Sequence, residues 1–90
     1  MQVRQRDHKL EAALPADLAS VEELCRLIEA FLQKNTPDVD LFSAMLLVRE
    51  AVNNAVIHGA PKAVDKTVHV SLDIEPGRIV LHVQDQGPGF

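Results

Sequence analysis

The chain has no tryptophan, no tyrosine and one cysteine, and only 3% of its residues are aromatic. A core with so few rings must be built from aliphatic side chains. The single thiol, Cys25, excludes an internal disulfide and a cysteine-rich metal site. Set in an apolar helical stripe, it reads as a small core residue rather than a nucleophile. No apolar run reaches the roughly 18 residues of a membrane helix, because Arg49 and Glu50 interrupt the best candidate. No signal peptide is recognisable, so a cytoplasmic setting without membrane contact is expected. Nine basic residues are scattered among 13 acidic ones for a net charge of −4, which argues against direct binding to nucleic acid. Ninety residues without repeats or low-complexity linkers make one small domain, 1–90.

What is present divides into a helical half and a strand half. The opening MQVRQRDHK is polar and reads as frayed chain. Leu10, Ala12 and Leu14 alternate with Glu11 and Ala13 and suggest a short strand, Leu10–Leu14, ahead of Pro15. Ser20 followed by Glu23 has the pattern of a capping box. Val21, Leu24, Cys25, Ile28, Phe31 and Leu32 then keep helical spacing, which predicts a helix Val21–Lys34. Its other face, Glu22, Glu23, Arg26, Glu29 and Gln33, is an ordinary wet surface. A second helix, Leu41–His58, has Asp38 or Asp40 as cap candidates and Gly59 at its end. Beyond the Pro61-containing connection, Val68, Val70, Leu72 and Ile74 alternate with polar residues, as do Ile79, Leu81 and Val83. Between these runs Glu75-Pro76-Gly77-Arg78 has proline and glycine where a turn wants them, so Thr67–Asp85 is predicted to be a hairpin. The expected fold is α+β: a two-layer sandwich with an antiparallel sheet and both helices on one face.

Two features exceed what folding alone asks for. Glu50, Asn54 and His58 recur every four residues on the second helix. At ~100° per residue they line one strip of the helix wall, with Ile57 beside it and Asn53 at its margin. A solvated face would accommodate the same residues, but adjacent asparagines in mid-helix are poor helix formers. Asp85 is in phase with the core-facing Ile79, Leu81 and Val83, where a carboxylate is costly unless hydrogen-bonded. Gly87 and Gly89 follow it around Pro88, which serves a plain surface turn or a close backbone approach to a ligand. His69 and His82 fall on the non-core phase of the hairpin and read as surface residues, with no third ligand for zinc.

Together, Glu50-x-x-x-Asn54-x-x-x-His58-Gly59 and Asp85-x-Gly87-x-Gly89-Phe90 resemble the N box and first glycine box of the Bergerat-fold ATPases, the gyrase- and histidine-kinase-like superfamily. The form Glu-Ala-Val-x-Asn-Ala-x-x-His-Gly is most similar to the anti-sigma-factor serine/threonine kinases, as is Leu14-Pro15-Ala16 before a helix. The resemblance runs from Leu10 to Phe90. It implies ATP and Mg²⁺ as cofactors, with Asn54 as the magnesium ligand and Glu50 as the partly buried carboxylate that handles the attacking hydroxyl. It implies Asp85 as the adenine reader, Gly87 and Gly89 as points of close approach to the nucleotide, and His58 at the helix end near the phosphates. The family pattern goes on to a lid, a second glycine box, a helix and a further strand, whereas this sequence stops inside the first box. What is implied is the N-terminal part of such a domain, with an unpaired sheet edge, a tendency to dimerise, weak ATP binding at best and no phosphotransfer by the 90 residues alone.

Three functions compete. The first is an ATP-dependent protein serine/threonine kinase that binds a sigma factor and phosphorylates its antagonist. The absence of an upstream dimerisation helix with a phosphoacceptor histidine disfavours a sensor histidine kinase. The second is a non-catalytic, truncated domain of the same type that sequesters a regulatory protein. The third is a small α+β domain of unrelated function whose motifs match by chance.

Overall fold

A computed structural model describes the backbone of residues 1–59 and 67–85 and the side chains of residues 1–56 and 67–84. Its elements run β1 (Gln2–Gln5), β2 (Lys9–Pro15), α1 (Leu18–Asn35), α2 (Leu41–Gly59), β3 (Thr67–Glu75) and β4 (Arg78–Asp85). The four strands form one antiparallel sheet in the order β1-β2-β3-β4. Both helices cover the same face, α1 over β2 and α2 chiefly over β4. This is the expected α+β sandwich.

The core lies between the layers and is aliphatic, with Phe31 its one buried ring among the described residues. From the sheet it takes Leu10, Ala12, Leu14, Val68, Val70 and Leu72, every second residue of β2 and β3. The helical stripe of α1 read from the sequence is buried in full: Val21, Leu24, Cys25, Ile28, Phe31 and Leu32. Burial pushes the Cys25 thiol above its ordinary pKa, opposed by the charge of nearby Arg49. His69 and His82 are exposed on the outer sheet face. No cluster of three metal-ligating side chains exists among the described residues.

Two local expectations need correction. The N-terminal residues are not frayed: β1 pairs with β2, setting Val3 opposite Ala12. Polar side chains hid it, because an edge strand with one half-buried apolar residue has no legible alternation. Helix α1 begins three residues before Val21, and its cap is Asp17 rather than Ser20. The Ser20 amide donates to Asp17 Oδ1 at 2.7 Å, and hydrogen bonds from Ser20 hold the Asp17 carboxyl below its usual range. Leu18 and Ala19 are exposed, so the first turn adds nothing to the apolar stripe that marks the rest.

The β3–β4 hairpin turns at Pro76-Gly77, with Gly77 at φ 77°, the positive value the turn requires. A Cβ there would meet nothing within 4 Å. Gly77→Ala therefore tests backbone strain alone and should cost about 1–2 kcal/mol in urea unfolding, with Gly77→Asn costing less. Equal stability of all three would show that the turn relaxes freely.

Candidate functional site

Helix α2 carries the polar row, and its start and its roll are both fixed. Asp40 caps it: Oδ1 accepts from the Ser43 amide at 3.2 Å and Oδ2 from Ser43 Oγ at 2.8 Å. These bonds hold the Asp40 carboxyl below its usual range. Val48, Val52 and Val56 form the buried row that seats α2 on the sheet. Glu50 and Asn54 each lie two residues beyond one of these valines, about 200° around the axis. Both side chains are exposed, with Asn53 half-buried at the margin. Arg49, the next residue in the chain, reaches across to α1 and donates to Glu22. That ion pair is exposed and adds little stability, but it ties the rotation of α2 to its neighbour. The hydrogen bond from Arg49 to Glu22 also raises the guanidinium's pKa. Sequence reasoning missed this pair, because nothing in either helix alone indicates which charges meet across the layer.

Glu50 and Asn54 lie on one exposed strip of α2, so Glu50 is exposed rather than partly buried. Neither Glu50 nor Asn54 hydrogen-bonds to another described residue. A hard divalent cation takes neutral oxygen donors of the kind the Asn54 amide offers. The side chains of His58 and Asp85 lie outside the described residues, as do Gly87 and Gly89. Their backbone neighbours are partly fixed: His58 is in the last turn of α2, and Asp85 closes β4 opposite Val68. α2 lies over β4, but its Glu50–Asn54 row is on the side turned away from the sheet, so the described residues do not bring the row against that strand.

Two other surfaces stand out. On α2, Phe42, Leu46 and Leu47 are 79%, 56% and 68% exposed. The apolar rhythm read there from the sequence thus continues onto the wet side. On the outer sheet face an open depression is lined by Gln2, Arg4, Glu11, His69, His82 and Gln84. It is the concavity of a twisted sheet and lies on the face opposite the helices.

The profile of a family described as the histidine kinase-like ATPase domain matches residues 14–90. Several similar proteins bear the name anti-sigma F factor. That of Geobacillus sp. (strain WCH70) is 35% identical over 75 residues, covering 81% of this chain and 51% of its own length. That of Geobacillus thermodenitrificans (strain NG80-2) is 38% identical over 64 residues, 70% of this chain and 44% of its own. That of Clostridium botulinum (strain Eklund 17B / Type B) is 30% identical over 64 residues, with 70% and 45% covered. The chain spans about half the length of the relatives it matches. No solved structure matches it significantly.

Proposed function

The chain belongs to the histidine kinase-like ATPase domain family, and from that premise we propose that it is the nucleotide-binding part of an anti-sigma-factor-type protein serine/threonine kinase. In this reading it acts in the cytoplasm, binds a sigma factor, phosphorylates the factor's antagonist and works as a dimer. The observation that carries the proposal is the Glu50–Asn54 row, exposed, without hydrogen-bond partners among the described residues and backed by the buried valines of α2. The similarity to proteins named anti-sigma F factor supports the regulatory setting.

Each residue has a task suited to its chemistry. The Asn54 amide oxygen is a neutral ligand for Mg²⁺ and adds no repulsion toward phosphates. The Glu50 carboxylate accepts the proton of the attacking serine or threonine hydroxyl. Asp85 accepts from the exocyclic amine of adenine. Gly87 and Gly89 let backbone pass close to the nucleotide, and His58 ends the helix that carries the row. Bound Mg²⁺ supplies charge neutralisation on the phosphates of ATP, the phosphoryl donor. Residues Val48, Val52 and Arg49 keep the row aimed by fixing the seat and roll of α2.

Amide chemical shifts recorded while MgATP is titrated into the chain test this reading, because they register weak binding. Shifts should cluster at Glu50–Asn54 and at the end of β4. Asn54→Ala should weaken the magnesium-dependent part about tenfold, the scale of one lost ligand contact. In a full-length protein carrying this domain, Glu50→Ala should leave binding in place and abolish phosphotransfer. Shifts confined to the outer sheet face, or none at millimolar nucleotide, would refute it. The exposed Phe42, Leu46 and Leu47 favour a second reading, a module of the same fold that holds a regulatory protein without turnover. In that case the antagonist or sigma factor would bind while Glu50→Ala changed nothing.

A further inference from the structure

Along the exposed strip of α2 the chemistry changes at Glu50. Asn54 follows it by one turn, and Leu46 precedes it by one turn. Leu46 and Leu47 are 56% and 68% exposed, and Phe42, one turn earlier again, is 79% exposed. Polar residues therefore lie on one side of the carboxylate and apolar ones on the other. Core packing does not account for the apolar side, because Val48, Val52 and Val56 already seat the helix on the sheet.

That apolar side is concave. Between α1 and α2 an open groove of about 380 Å³ is lined by Leu41, Phe42, Met45 and Leu46, with Glu29 and Arg49 as its charged members. Leu46 belongs both to this groove and to the turn that leads into Glu50, so the groove opens beside the carboxylate. Residues four apart on a helix have their Cβ atoms about 6 Å apart. In an extended polypeptide, side chains two residues apart point the same way and lie roughly 7 Å apart. The two spacings match. A serine or threonine brought to Glu50 by an extended segment lays the side chain two residues away over Leu46. The residue next to the acceptor points the other way.

We propose that this groove takes an apolar side chain of the protein whose serine or threonine is phosphorylated, two residues from the acceptor. The proposal rests on Glu50 as the acceptor's base and Asn54 as the magnesium ligand, and it names the segment that those roles admit. With the phosphates of ATP on the Asn54 side, the acceptor approaches from the Leu46 side. Its oxygen bonds to the γ-phosphorus as the bond to the β–γ bridging oxygen breaks, its proton passes to the Glu50 carboxylate, and ADP leaves. Apolar contact in the groove holds the hydroxyl at Glu50 while this happens. The walls of Phe42, Met45 and Leu46 favour leucine or methionine in the groove. Glu29, with the Glu22 that engages Arg49, leaves the surroundings net negative and disfavours an acid.

Phosphotransfer from MgATP by a full-length protein carrying this domain, measured on synthetic peptides with a single serine, tests it. Leucine two residues from the serine, on one side or the other, should raise kcat/KM roughly tenfold over aspartate there, mostly through KM. Leucine adjacent to the serine should change it little. Leu46→Ser and Phe42→Ser should remove the preference while MgATP affinity and the urea midpoint stay unchanged. Glu50→Ala should stop transfer to every peptide, while leucine peptides still bind ahead of aspartate ones. Transfer without a preference at that position would overturn the groove and leave Glu50 its role. So would a preference that survives both serine substitutions. A lowered urea midpoint for Leu46→Ser would mean that further residues of the full-length protein fill the groove, which equally overturns the proposal. Transfer to no peptide would overturn the Glu50 reading and this proposal with it.

Discussion

Leu72→Ala is expected to be the most destabilising single truncation in the sheet. Leu72 is fully buried on a central strand, with Leu10 opposite it on one side and Leu81 on the other. Its neighbours are held by hydrogen-bonded ladders and cannot move in to fill the space. The loss should be about 2–5 kcal/mol, the transfer term plus the residual cavity. A chain of this length has roughly 5–13 kcal/mol in total, so up to half or more of its stability goes with one side chain. Urea unfolding at fixed protein concentration should show a lower midpoint with an unchanged slope. Leu47→Ala removes the same atoms from an exposed site and should stay within about 0.5 kcal/mol. A loss below about 1 kcal/mol at Leu72 would mean that the layers are loosely packed.

The second large effect concerns adenine. Within the proposed function, Asp85→Asn replaces a carboxylate acceptor with an amide that presents a donor toward the adenine amine. Loss of a charged hydrogen bond costs about 1.5–3 kcal/mol. ATP affinity should therefore fall roughly ten- to a hundredfold. The base preference should narrow as well, because guanine presents a carbonyl where adenine presents its amine. Titrations with ATP and GTP on both proteins separate this from general damage. If ATP and GTP affinities fell equally, Asp85 would be a structural residue of the strand end and not the base reader.

Much of this molecule was legible because its periodicities are clean. The stripe from Val21 to Leu32 and the alternation through Val68, Val70 and Leu72 each predict a buried face, and each is buried. Pro76-Gly77 announced its turn, and Gly77 has the expected positive φ. What failed was local and polar. β1 is an edge strand of Gln, Val, Arg and Gln, and its pairing with β2 depends on a partner rather than on its own pattern. The start of α1 was misplaced because Asp17 caps a first turn whose Leu18 faces water. The candidate site was legible as a spacing, since Glu50 and Asn54 do share one exposed strip. Its depth was not, because burial is set by the layer beneath. The Arg49–Glu22 tie between the helices depends on a crossing geometry that neither helix encodes alone.

Cys25 gives the domain a clock. It is 1% exposed, and it is the chain's only thiol. Reaction with a thiol reagent requires the thiolate, which burial disfavours, and access, which the packed helices deny. Each modification event therefore records one opening of the helix layer, with no second sulfur to blur the count. The labelling rate reads the open fraction under native conditions, where denaturant has disturbed nothing. Any ligand that binds only the closed form slows that rate in proportion to its occupancy. One atom at the centre of α1 can thus weigh every partner the surface accepts.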